Sequence, residues 1–142
     1  MLVRPMTPSD SREVASLSNQ LGYPSSASDI EKRLGTMNQG PDFGTFVAET
    51  PDGRVAGWIQ VYVVRLVEAD AYAEIGGLVV DASTRGQGLG KALLGACEKW
   101  AIERGYSKIS VHSNMKRSEA RPFYESMGYN IAKTQYVFNK GL

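Results

Sequence analysis

The sequence predicts a single α/β domain over residues 1–142, a mixed sheet flanked by helices. Three observations predict it. Short apolar runs rich in β-branched and aromatic residues alternate with segments of helical periodicity. Turn signals built on Gly, Pro and Asp separate the two kinds. An apolar strand, a glycine-rich turn and a strongly amphipathic helix follow one another between residues 74 and 104. No repeat, low-complexity tract or linker interrupts the 142 residues, a length that buries an ordinary core without staples.

The elements follow in order. Leu2-Val3-Arg4 is a short first strand, ended by Pro5. Val14, Leu17 and Leu21 give residues 10–21 a helical spacing, and Gly22-Tyr23-Pro24-Ser25-Ser26 breaks it. Ser28 is expected to cap a second helix, with Glu31 completing a capping box and Ile30, Leu34 and Met37 on one face. Gly40-Pro41-Asp42 is a loop. Thr45–Glu49 and Val55–Val64 are strands joined by Pro51-Asp52-Gly53, a hairpin signal. A polar link around Glu68-Ala69-Asp70 leads to the strand that ends at Val80. Leu89, Leu93, Cys97 and Trp100 mark the buried face of the next helix, and Gly105 ends it. Lys108–His112 is a short strand. A helix opening near Ser118 closes on Gly128, and Ile131 and Thr134–Asn139 are expected to add two closing strands.

Composition excludes several function classes. Hydrophobic content of 42% and charged content of 22% belong to a soluble globular protein. A net charge of +1, with both signs mixed along the chain, offers no nucleic-acid footprint. No apolar stretch approaches the roughly 18 residues that suggest a membrane span. The first six residues lack the apolar core of a signal peptide. One cysteine, Cys97, cannot form an internal disulfide, so a reducing cytoplasm is the expected compartment. With one histidine beside it, no zinc cluster is expected.

The chemistry gathers at residues 74–91. Ile75–Val80 reads as a buried strand, followed by Arg85-Gly86-Gln87-Gly88-Leu89-Gly90-Lys91 and the helix. The first N–H groups of a helix have no internal partner, and glycines let an anion approach the backbone. Spacing decides which anion site this is. A Walker A loop fails because Ala92 follows Lys91 and Arg85 stands five before Gly90. A dinucleotide fingerprint fails because the glycines fall at 86, 88 and 90. What fits is Arg85-x-x-Gly88-x-Gly90. A second pattern, Ala120-x-x-Phe123-Tyr124-Glu125-x-x-Gly128-Tyr129, closes the chain.

The first pattern resembles the acyl-CoA loop of the GNAT superfamily of N-acetyltransferases, and the second resembles that family's last helix. The likeness covers residues 44–140 well and the first two helices in outline. It implies a mostly antiparallel mixed sheet, splayed at the acyl-CoA site by a bulge that Gly76-Gly77 would supply. It implies acetyl-CoA as co-substrate, its pyrophosphate on Arg85, Gly86, Gln87, Gly88, Leu89, Gly90 and Lys91. Main-chain groups of Leu78, Val79 and Val80 would pair with the pantetheine arm, and Asn114 would contact it. The spacing from Asn114 to Tyr124 is longer than in compact members, where Arg117 would stand in place of the Asn.

Acetyl transfer to an amine sets three requirements. The amine must be neutral, yet an alkylamine of pKa ~10.4 is under ~1% neutral at pH 7. The tetrahedral oxyanion needs a donor, and the departing thiolate needs a proton or stabilisation. Glu74, at the start of the strand, is the candidate base, directly or through water; the plainer reading is a solvated strand-end carboxylate. Simple alternation places it on one face with Gly76, Leu78 and Val80. The resemblance makes Tyr124 the general acid, against a plain core aromatic. His112 reads as structural, and Cys97, Trp58 and Trp100 read as core. Tyr23 could line the acceptor site or pack on the surface.

These readings lead to a direct acetyl transfer from acetyl-CoA to a primary amine, in a ternary complex. The expected acceptor is a small molecule, aminoglycoside-like or a metabolite amine. A protein or peptide N-acetyltransferase, a non-catalytic acyl-CoA sensor and a toxin acting on charged tRNA are the alternatives. The balanced charge speaks against the last. No nucleic-acid or membrane partner is expected. Homodimers are common in the family, with the C-terminal strands as candidate interface.

Overall fold

Runs of alternating apolar residues make the middle of the chain a sheet, and the amphipathic segments on either side cover it. The computed structural model describes residues 1–37 and 40–142, in two units, Met1–His112 and Ser113–Leu142.

In the first unit, β1 (Leu2–Pro5), β2 (Phe43–Glu49), β3 (Val55–Leu66), β4 (Ala69–Val80) and β5 (Ile109–Val111) lie side by side in sequence order. The first four pair antiparallel, and β4 pairs parallel with β5. The helices are α1 (Ser11–Gln20), α2 (Ala27–Met37) and α3 (Leu89–Glu103), with 3₁₀ turns at Pro8–Asp10 and Ala82–Thr84. The sheet is mixed and mostly antiparallel, with helices around it, as the fold class required.

One face packs on α1 and α2. Val14, Leu17 and Leu34 meet Val47, Val55 and Val79 there, with Trp58 and Met37 at the margin. The other face packs on α3 through Leu93, Leu94, Cys97 and Trp100, all buried. A Cβ on Gly44 would stand 2.8 Å from Trp100 Nε1, and one on Gly57 3.1 Å from Leu93, so these glycines set how closely α3 approaches. A fully buried leucine such as Leu93 stabilises the fold by about 2 kcal/mol.

Some element boundaries differ from the sequence reading, for local reasons. The α2 cap is Ser26, two residues before the expected Ser28. Asp29 N–H donates to Ser26 Oγ and Ser26 N–H to Asp29 Oδ2, both at 3.1 Å, a reciprocal box. The expected polar link at Glu68-Ala69-Asp70 is shorter than predicted. Leu66 pairs with Ala69, so Ala69 and Asp70 already belong to β4. The hairpin at Pro51-Asp52-Gly53 forms as its turn residues dictate, with Gly53 N–H donating to Thr50 O at 2.9 Å.

The second unit holds α4 (Ala120–Ser126). Gly128 closes it at φ 90°, and Tyr129 N–H returns to Tyr124 O at 3.0 Å. Pro122 sits in the first turn, where no intrahelical donor is needed. Taken by itself, this unit pairs no strand over residues 130–142, so the two closing strands do not form within it. Among the described residues of the chain, no helix is long and apolar enough to cross a membrane.

Candidate active site

The site is built on the last seven residues of β4. Gln60 of β3 pairs with Gly77 and Val61 with Ile75, so Gly76 is an extra residue, a β-bulge. Space is tightest at Gly77. A Cβ on Gly76 would lie 3.0 Å from Gln60 Oε1, and one on Gly77 2.9 Å from the Trp58 ring. The β5 ladder runs only from Ala73 to Ile75. Beyond it, the edge of β4 from Gly76 to Val80 has no strand partner in this unit. Backbone N–H and C=O groups on that edge are open to an extended, amide-bearing ligand.

The bulge also corrects the alternation. Glu74 pairs across with Tyr62, Gly77 with Gln60 and Val79 with Trp58, which puts all six on the α1–α2 face. Leu78 and Val80 therefore point to the α3 face, not to the face of Glu74. Val79 is a core residue at 4% exposure, so only its main chain can meet a ligand.

Glu74 is buried, not a solvated strand-end carboxylate. Tyr62 donates its hydroxyl to Glu74 Oε2, and His112 Nε2 lies 3.3 Å from Oε1. Burial and the carboxylate together push the Tyr62 phenol up to about 12, so it stays protonated and donating. The parallel register explains how His112 arrives. Ser110 pairs with Glu74, and His112, two residues on, shares its face. Sequence reasoning missed both partners. The signal was the period-2 spacing of Ser110 and His112, but the register that aligns β5 with β4 is a long-range fact.

Next along the chain, Asp81 fixes the turn into the loop. It accepts from Ser83 N–H at 3.1 Å and pairs with Arg54 at 2.9 Å. Those contacts, the Ser83 N–H first, hold its carboxyl below the usual range. Gly86 and Gly88 then adopt φ of 82° and 81°, the left-handed region that glycine enters without strain. A Cβ on either would meet no protein atom within 4 Å, so backbone conformation, not packing, demands glycine. The N–H groups of Gly86 and Gly88 have no backbone acceptor among the described residues. Gly88 caps α3, whose first N–H groups point the same dipole end outward. Arg85 and Lys91 are exposed beside them, whereas Leu89 is buried and offers only its main chain. Gly90 is half-buried in the first turn of α3. This donor set fits a pyrophosphate.

In the second unit, Asn114 Oδ1 accepts from Lys116 N–H at 2.9 Å, an Asx turn that leaves its amide nitrogen as donor. Tyr124 packs edge-to-face on Phe123 at 5.1 Å and on Tyr129 at 5.8 Å. Burial raises its phenol above the ordinary value, with Arg117 opposing. Cys97 is buried on α3 and its thiol is pushed up to about 12, so it belongs to the core. Trp100 likewise is core, while Tyr23 is exposed in the α1–α2 loop. The first unit thus brings together Glu74, the β4 edge and residues 85–91; Asn114 and Tyr124 belong to the other unit.

Comparison with known proteins gives the family and the fold. A curated relative, the aminoalkylphosphonate N-acetyltransferase of Salmonella typhimurium, is 34% identical over 92 residues, 64% of this chain and 58% of that one. The aminoglycoside N(6')-acetyltransferase type 1 of Stenotrophomonas maltophilia is 25% identical over 99% of this chain and 93% of its own. The chain spans about half the length of the first curated relatives it matches. The fold is shared with a Bacillus halodurans protein described as a transcriptional regulator, at a TM-score of 0.87 and 19% identity over 98% of this chain and 99% of that one. The model of the Acetyltransferase (GNAT) family matches residues 13–129, and the chain belongs to that family.

Proposed function

We propose that this protein transfers an acetyl group from acetyl-CoA to the primary amine of a small molecule, directly and in a ternary complex. The observation that carries the reading is the continuity of β4. A buried carboxylate, a bulge, an unpaired backbone edge and a phosphate-shaped loop succeed one another from Glu74 to Lys91. That order matches the substrate's own: reacting amine, thioester, pantetheine amides, pyrophosphate. Main-chain groups of Leu78, Val79 and Val80 hold the arm, with Asn114 as a further donor, and residues 85–91 hold the phosphates. A free N–H on the splayed edge polarises the thioester oxygen. The charge of Glu74 draws the proton from the ammonium, directly or through a neighbouring group. Tyr124, kept protonated by burial, gives its proton to the departing sulfur.

The relatives named above act on aminoalkylphosphonates and aminoglycosides, which supports a small, amine-bearing acceptor. The test is an acetyl-CoA turnover assay read by free thiol. The panel holds aminoalkylphosphonates, aminoglycosides, other small amines and N-terminal or lysine peptides. Thiol release with small amines is the expected result. Release with peptides alone would move the acceptor to protein. Tight acetyl-CoA binding without release across the panel would make the chain an acyl-CoA-binding module.

A further inference from the structure

We propose that His112 is the proton acceptor of this site, with Glu74 orienting its ring and Tyr62 fixing Glu74. This rests on the acetyl-transfer reading above. Glu74 is 7% exposed; its Oε2 accepts from the Tyr62 hydroxyl, and its Oε1 lies 3.3 Å from His112 Nε2. Placing a proton on that carboxylate would disrupt contacts made in a low-dielectric setting. Tyr62 already carries its proton, so it cannot take another.

The imidazole can. Nε2 lies 3.3 Å from a carboxylate oxygen, and that negative charge favours the tautomer with hydrogen on Nε2 over one with two lone pairs facing each other. That leaves Nδ1 as the free acceptor of the neutral ring. In the step, the Nδ1 lone pair takes one proton from the ammonium of the acceptor, directly or through one water. The N–H bond breaks, its electron pair stays on the amine nitrogen, and that pair attacks the thioester carbonyl. The C–S bond then breaks, the sulfur leaves as CoA with a proton from Tyr124, and the new amide nitrogen gives its second proton to the Tyr124 phenolate. Glu74 balances the imidazolium, which later returns its proton to solvent. Tyr72 on β4 and Lys108 beside β5 are titratable groups on the same stretch of sheet, Tyr72 close enough to Tyr62 to act on it electrostatically. Lys108 Nζ rests 3.9 Å over the Tyr72 ring.

His112 is the only histidine, so its ring ¹⁵N signals need no assignment. The neutral ring is expected to show Nε2 protonated and Nδ1 bare; the opposite tautomer overturns the proposal. Kinetics then separates base from brace. His112→Gln is expected to lower kcat/KM at least tenfold on the acidic side and to flatten that limb. The deficit should shrink above about pH 9, where more of the amine arrives neutral. Added imidazole should restore part of the activity in His112→Gly, with KM for acetyl-CoA unchanged. A wild-type rate and profile in His112→Gln removes His112 from the reaction, and so does an equal loss at every pH without imidazole rescue. Both outcomes leave acetyl transfer standing. Failure of the wild-type protein to release thiol with any amine, while binding acetyl-CoA, removes acetyl transfer and this step with it.

Discussion

Arg4 and Asp10 show what a single pair of side chains does near the start of the chain. Arg4 grips Asp10 with two nitrogens, each at 2.9 Å, and reaches Glu49 with its Nε at 2.6 Å. Asp10 is buried and also accepts from Thr7 N–H at 2.8 Å. The guanidinium first, then that N–H, hold its carboxyl below the ordinary value of 3.8. Because the folded state prefers the carboxylate, the contribution is full above about pH 4 and is lost as pH falls through the lowered value. Arg4→Ala strands a buried charge and should destabilise by roughly 2–3 kcal/mol, below the deepest cases because Arg4 is partly in water. Urea midpoints at pH 7 should show that gap, and at about pH 2 it should narrow; an equal gap at both would assign the loss to packing. Tyr124 offers the second test at this scale. Tyr124→Phe keeps the ring contacts and removes only the hydroxyl, so acetyl-CoA affinity should survive while kcat falls by about 10²-fold. A thiolate leaves readily, which could shrink that factor. An unchanged kcat with chemistry rate-limiting would take Tyr124 out of the mechanism.

Elements fail to be legible where two local solutions score alike. Ser26-x-x-Asp29 and Ser28-x-x-Glu31 are both capping boxes on paper, and only the folded chain shows that α2 begins at Ala27. The bulge was legible as a glycine pair but not as a change of parity. One inserted residue at Gly76 turns the following strand over, so Val79 enters the core beside α1 while Val80 approaches Leu93 of α3. The loop's backbone was legible as a glycine-rich turn into a helix, because its residues are contiguous and glycines at fixed places set its conformation. Gly88→Asp tests it. A side chain at φ 81° is strained by roughly 1 kcal/mol, and the added charge would face the phosphates. Calorimetry should find CoA affinity down tenfold or more, at least ~1.4 kcal/mol. Equal affinity in wild type and variant would place the phosphates elsewhere.

At the scale of the molecule, a ligand spread along β4 and the head of α3 must stabilise both. Acetyl-CoA at a hundred times its Kd should add about 2.7 kcal/mol to unfolding, a Tm rise on the order of 10 °C. Gly88→Asp should lose most of that rise at the same concentration. A wild-type Tm indifferent to acetyl-CoA would contradict binding altogether. Fold class was legible because strand and helix periods differ, and the order of elements leaves few architectures. The partners of Glu74 were not, since Tyr62 is 12 residues away and meets it through pairing across a bulge. The acceptor is not written in the chain either. Tyr23, read from the sequence as a residue that could line the acceptor site, is exposed in the α1–α2 loop with no motif around it.

Cys97 has a use beyond packing. A thiol buried against the sheet and held protonated does not react with a disulfide reagent added to count sulfhydryls. The remaining sulfurs are methionine thioethers, which such reagents ignore. Every equivalent of colour in a turnover assay is then one molecule of CoA, with no correction for the enzyme. The protein can be used at substrate concentration, so a first turnover can be read as a stoichiometric burst. A single cysteine placed elsewhere on the surface would take a label with no competition from the native one.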